Sequence, residues 1–118
     1  MDDALNEVEA NLKATLDRAA QLAAEVGRRK QVVGQVPHYS QIESDAHAVA
    51  QRLGQAIQAT RSEQVRQECE PNVSCPDCGG TCRVTEEQRR ITSIDGPTEI
   101  TEAVAYCRHC RRSFFPSA

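Results

Sequence analysis

Apolar residues recur along the first third of the chain at helical spacing. Leu5, Val8, Leu12, Thr15, Ala19, Leu22 and Val26 follow one another at intervals of three and four, and Leu16 and Ala23 widen the stripe. The pattern predicts one long helix from Asp2 to Val33. Asp2, Asp3 and Glu7 lie at the positive end of its dipole, and Arg28, Arg29 and Lys30 near the negative end. Gly34 and Pro37 stop it. Ser40-Gln41-Ile42-Glu43 then reads as a capping box, opening a second helix that runs to about Gln67. Ile42, Ala46, Val49, Leu53, Ala56 and Thr60 repeat there with coiled-coil spacing, with Ala50 and Ile57 alongside. Gly54 weakens the middle of that helix by about 1 kcal/mol relative to alanine. Gln51, Gln55, Gln58, Gln64 and Gln67 read as a solvated face. Two such stripes joined by a short link predict an antiparallel hairpin, or pairing with a second copy of the chain through a thin, Ala- and Thr-rich seam.

The helical pattern breaks at Glu70-Pro71-Asn72, so residues 1–70 and 71–118 are expected as two parts: a helical hairpin or coiled-coil segment, then a small antiparallel β ribbon. The expected fold class is α+β. Thr81 to Thr85 reads as a short strand, Gln88 to Ile94 as the next, Asp95-Gly96-Pro97 as a turn, and Thr98 to Cys107 as the return strand. In the return strand Ile100, Val104 and Tyr106 share one face, interrupted by Glu102, while Thr101, Ala103 and Ala105 share the other. A hairpin here carries Cys107 back towards Cys78.

That return matters because of the cysteines. Cys75-Pro76-Asp77-Cys78 and Cys107-Arg108-His109-Cys110 are two short pairs with 28 residues between them. Each pair sets two thiolates on one tight turn. Two such turns complete a tetrahedral four-thiolate shell, the geometry that structural Zn2+ prefers. Cys75, Cys78, Cys107 and Cys110 are therefore the expected metal ligands. Gly79 and Gly80 follow the first pair, where the turn needs positive φ and close approach of backbone N–H groups to sulfur. Arg111-Arg112 follows the second, which predicts a turn that is strained or differently shaped. Cys82 reads as a half-buried free thiol and Cys69 as an unpaired one. His109 is expected to point to solvent, and His38 and His47 to lie on the surface.

Composition narrows the function. The 118 residues carry 14 Lys+Arg against 17 Asp+Glu, and the aromatics are only Tyr39, Tyr106, Phe114 and Phe115. A ribbon this poor in large apolar groups cannot bury enough surface to stand alone. The acidic start of the chain lacks the apolar core of a secretory signal, and no run approaches a membrane span, so a cytoplasmic, reducing location without membrane association is expected. Residues 1–70 carry a formal charge of −3 and residues 71–118 are neutral. Arg83, Arg108, Arg111 and Arg112 lie near the cysteines and either offset the charge of a zinc–thiolate centre or contact phosphate. Arg108, Arg111 and Arg112, joined by one of Arg89 and Arg90, form the expected phosphate-contacting edge. Phe114 and Phe115 are expected to cover the ribbon core, or in one case to stack on a base. No Gly-rich phosphate loop, nucleophile elbow or metalloprotease motif is present, so no enzymatic activity is expected.

The stretch Cys75-Pro76-Asp77-Cys78-Gly79-Gly80, followed by Arg89-Arg90-Ile91-Thr92, Gly96-Pro97-Thr98-Glu99-Ile100, Ala105-Tyr106-Cys107-Arg108-His109-Cys110 and Phe114-Phe115-Pro116, resembles the N-terminal zinc ribbon of Kra-type insertion-sequence transposases. The resemblance runs from about Pro37 to Pro116. It implies a DNA-binding front end of a transposase, with the same four cysteines on zinc and with catalysis supplied by an acidic triad that follows the ribbon in that family. A catalytic transposase chain is then a candidate partner, alongside DNA. The other reading of the sequence is a zinc-stapled protein–protein adaptor whose helical stripe binds a partner.

Overall fold

A computed structural model of the chain describes residues 2–116. Helices α1 (Asp3–Lys30) and α2 (Tyr39–Glu68) precede four strands: β1 (Asn72–Ser74), β2 (Thr81–Ser93), β3 (Gly96–Cys107) and β4 (Arg112–Phe114). The strands form one antiparallel sheet in the order β1-β2-β3-β4. The α+β class expected from the sequence is the one observed. The chain divides into two compact units that meet inside α2, one reaching Ala50 and the other starting at Gln51. The C-terminal half of α2 thus belongs with the sheet, although the change of secondary structure comes only near residue 70.

In the first unit, α1 ends at Lys30, before Val33, because Gln31 turns extended and its N–H closes onto the Arg28 carbonyl. Glu25 clamps the last turn, accepting from Arg28 Nε at 2.8 Å and Arg29 Nε at 2.9 Å. These two guanidiniums, Arg28 first, hold the Glu25 carboxyl below the usual carboxylate range. The start of α2 differs from the expected capping box. The helix begins at Tyr39, and His38 occupies the cap: its Nδ1 accepts the Ser40 N–H at 3.2 Å and lies 2.8 Å from Ser40 Oγ. The Ser40 hydroxyl is thereby drawn to the imidazole and not to the backbone of Glu43. Neither helix buries a side chain among the described residues. Leu5, Leu12, Leu22, Ile42 and Val49 all remain exposed, so no hairpin core forms between the two stripes.

In the second unit, β2 is one strand of 13 residues where two were expected. It pairs without a break from Val84↔Ala105 to Ser93↔Gly96, which leaves Ile94 and Asp95 as a two-residue turn. Gly96, which follows these two residues, has φ 102°, the left-handed conformation in which a glycine closes a hairpin loop whose central residues keep negative φ. The edge strands β1 and β4 have three residues each and carry no alternation that the sequence could reveal. The core is small: Cys75, Cys82, Ala105 and Cys107 are buried, with Val73, Val84, Cys110 and Phe114 packed against them. On β3 the inward face is therefore Ala103, Ala105 and Cys107. The more apolar face of Ile100, Val104 and Tyr106 is the more open one.

Helix α2 lies on this sheet through an unexpected side. Gln55 Nε2 donates to the Asp95 carbonyl at 2.8 Å, and Gln58 Nε2 to Asp95 Oδ2 at 2.9 Å. Gly54 sits against the same carboxylate, where a Cβ would overlap it. Further along, Arg66 Nε lies 3.1 Å from Glu86 Oε2, close enough for an ion pair but not aligned for a hydrogen bond. Gln55 and Gln58 are thus docking residues and not a solvated face, and Gly54 is the point of closest approach between the helix and the β2–β3 turn.

Candidate metal centre

β1 delivers the first cysteine pair and β3 the second. The hairpin register that sets Val84 opposite Ala105 brings the two pairs to the same end of the sheet. Cys75 Sγ lies 3.8 Å from Cys110 Sγ, Cys78 Sγ lies 3.6 Å from Cys107 Sγ, and all four sulfurs fall within 4.8 Å of one another. A tetrahedron with metal–sulfur bonds of about 2.3 Å has edges of roughly 3.8 Å. The four side chains are therefore spaced as ligands of one ion. Among the described residues this is the one group of three or more Cys, His, Asp or Glu side chains close enough to hold a metal.

The two turns are built alike. The Gly79 N–H donates to the Cys75 carbonyl at 2.9 Å, and the Arg111 N–H donates to the Cys107 carbonyl at 2.7 Å. Gly79 has φ 74° and Arg111 has φ 56°, so the arginine takes the same left-handed conformation as the glycine. A side chain there costs roughly 1 kcal/mol or more. The expected difference between the turns is thus one of strain, with the shape preserved. Backbone N–H groups point at the sulfurs as in a thiolate site: Asp77 to Cys75, Gly80 to Cys78 and Cys110 to Cys107, each at 3.4 Å. Such donors favour the charged sulfur. The Cys110 N–H, chiefly, holds the Cys107 thiol down to about 6, while the neighbouring Cys78 thiol, chiefly, pushes Cys110 up to about 12. Four sulfurs this crowded cannot all ionise without a cation among them. The donor set fits a metal ion.

The remaining cysteines stay outside this group. Cys82 is buried in the core beside it, more deeply than the half-buried position expected, with its thiol donating to the Gly80 carbonyl at 3.5 Å and its pKa raised by burial. Cys69 donates to the Val65 carbonyl of its own helix at 3.4 Å. His109 is exposed, as expected for a residue between two ligands.

The candidate phosphate-contacting arginines are not gathered into one edge. Arg108 and Arg111 are exposed on the second turn and make no ion pair among the described residues. Arg112 pairs with Asp77 across the two turns. Arg89 pairs with Glu102 at 2.8 Å and lies over the Phe115 ring, 5.7 Å from its centre. Arg90 projects from β2 opposite Glu99, eight residues of β3 before Cys107, which places it about 27 Å from the second turn. Phe114 packs against the core and Phe115 is half exposed under Arg89. No helix among the described residues is long and apolar enough to cross a membrane. No protein-family model, no curated protein and no solved structure matches the chain.

Proposed function

We propose that the bound metal is Zn2+ and that the chain is a non-catalytic, zinc-ribbon DNA-binding module of the Kra-type insertion-sequence transposase kind, acting in the cytoplasm beside a catalytic transposase region. The observation that carries the metal is the set of four sulfurs at tetrahedral spacing. A closed four-thiolate shell suits zinc, which has no geometric demand beyond the tetrahedron and leaves no open position for chemistry. Its role is to hold the two turns together. Cys75, Cys78, Cys107 and Cys110 are the ligands in this reading.

Contact with DNA falls to Arg108 and Arg111, which flank the centre without internal partners, with Arg112 joining when its pair to Asp77 opens. Arg90 lies too far away to share their phosphates, and Arg89 is held by Glu102 and Phe115. Two to three phosphate contacts give a salt slope of about −2 to −3 per chain in a plot of log affinity against log salt. Arg108→Ala with Arg111→Ala should abolish most of that slope on every sequence alike, with zinc retained. A specific observation also supports the adaptor reading: Asp77 and Glu102 already neutralise two of the five arginines. If the double variant keeps the affinity and salt dependence of the parent while still holding one zinc, the adaptor reading takes over. Protein purified under reducing conditions without a tightly bound metal would end both.

A further inference from the structure

From Gln51 onward, α2 has two unlike sides. Gly54, Gln55 and Gln58 lie against the β2–β3 turn, whereas Leu53, Ala56, Ile57 and Thr60, on the other side, stay exposed. The helical repeat continues this open side to Val49, Ala46, Ile42 and Tyr39, at alternating steps of three and four residues. Leu53 is 44 % exposed, Ile57 56 % and Tyr39 71 %. Residues so spaced are those of a helix that packs along another helix.

We propose that the occupant is α2 of a second copy of this chain, running antiparallel about a two-fold axis beside residues 47 and 48. In this register Tyr39 meets Ala56 of the second copy, Ile42 meets Leu53, and Ala46 meets Val49, and each layer recurs by symmetry. Two of the three layers match a large side chain with a small one. The flanks match as well. Asp45 stands beside Arg52 of the second copy, and Arg52 beside its Asp45. Both are exposed and neither makes an ion pair in the single chain among the described residues. Sliding the pair by one heptad in either direction sets Asp45 against Asp45 or Arg52 against Arg52. A parallel, in-register pair stacks Ala46 on Ala46 and Ala56 on Ala56, and leaves Asp45 and Arg52 without each other.

The charges also argue against α1 of the same chain as the occupant. Aligning the stripes of α1 and α2 end to end sets Glu25 beside Asp45 and Arg18 beside Arg52, like against like. Glu25 is moreover already held by Arg28 and Arg29. The antiparallel α2 pair buries on the order of 1,000 Å² in total, the low end for a specific interface, as for a reversible association. The proposal stands independently of whether the ribbon contacts DNA.

The test is sedimentation equilibrium of the full chain, purified with zinc under reducing conditions. The parent should show a monomer–dimer equilibrium. Asp45→Arg alone or Arg52→Asp alone should raise the dissociation constant about tenfold, since each dimer then carries two like-charged contacts. Combining Asp45→Arg with Arg52→Asp should restore the parent value, which only the antiparallel register allows. All three variants change exposed positions, and unchanged far-ultraviolet circular dichroism and zinc content confirm their folding. A parent that stays monomeric at several hundred micromolar, single variants with the parent's dissociation constant, or a double variant no better than the singles would each overturn the proposal.

Discussion

Gly54 offers a test in which the sign of the effect separates two accounts of α2. Glycine inside an exposed helix costs about 1 kcal/mol relative to alanine, so a freely solvated α2 would gain that much from Gly54→Ala. In the folded chain the added Cβ would overlap the Asp95 carboxylate. Asp95 cannot simply swing aside, because Gln58 Nε2 donates to its Oδ2 at 2.9 Å and Gln55 Nε2 to its carbonyl at 2.8 Å. A part-buried hydrogen bond contributes about 1 kcal/mol, and one to a charged group about 1.5–3. Losing both outweighs the gain in helix propensity and leaves a net destabilisation of about 1.5–3 kcal/mol. Urea unfolding of the metal-loaded protein measures this difference, and amide exchange localises it to Asp95 and Gly96 at the turn. The α2 segment as an isolated peptide should move the other way, becoming more helical with alanine. If Gly54→Ala stabilises the whole protein by about 1 kcal/mol, α2 does not dock on the turn through this face and the assignment of Gln55 and Gln58 fails.

Two further outcomes follow from the metal centre. Structural zinc contributes on the order of 10 kcal/mol or more, far beyond what a core of four small buried side chains supplies, so a chelator should remove the β signal in circular dichroism while much of the helical signal survives. Cys75→Ser or Cys110→Ser should unfold the ribbon in the same way, whereas Cys69→Ser, which loses only a weak bond to the Val65 carbonyl, should leave metal content and melting unchanged. Arg111→Gly relieves a side chain held at φ 56° and should stabilise the ribbon by about 0.5–1 kcal/mol; Gly79→Ala imposes the same strain on the other turn and should destabilise it by about 1 kcal/mol. Thermal melts of the two variants with metal bound compare these opposite shifts directly.

The parts of the fold that were legible in the sequence are those with a strong local cause. Two Cys-x-x-Cys turns announce their geometry because the chemistry needs each residue at its own place. The long 3,4 stripes announce helices whatever those helices touch. The parts that were not legible depend on which face meets which. The alternation on β3 points to Ile100, Val104 and Tyr106, yet the inward face is Ala103, Ala105 and Cys107, because the cysteine group occupies that side and leaves room only for small side chains. The glutamines of α2 read as solvated because hydrophobicity is the usual marker of contact; here the contact is a pair of amide donors reaching one aspartate. Gly54 could have been the clue, since a glycine inside a strong helical pattern often marks close approach. The strands β1 and β4 are too short for any periodicity to show.

An apolar seam on one side of α2 and a polar docking face on the other divide the work of that helix. The sheet covers only its C-terminal half, so residues 39–50 hold a helical conformation with no buried side chain. α1 is in the same position along its whole length of 28 residues. Helical stability in proteins comes mainly from burying an apolar stripe, and propensity alone leaves even Ala-rich segments marginal. The local contacts available, such as the Glu25 clamp on Arg28 and Arg29, contribute only a few tenths of a kcal/mol each when exposed. Under the proposal that a second copy pairs with α2, stripes of this length and regularity find part of that apolar burial between two chains. In the proposed pair, the acid–base match of Asp45 with Arg52 makes α2 the segment where a second copy would supply that burial.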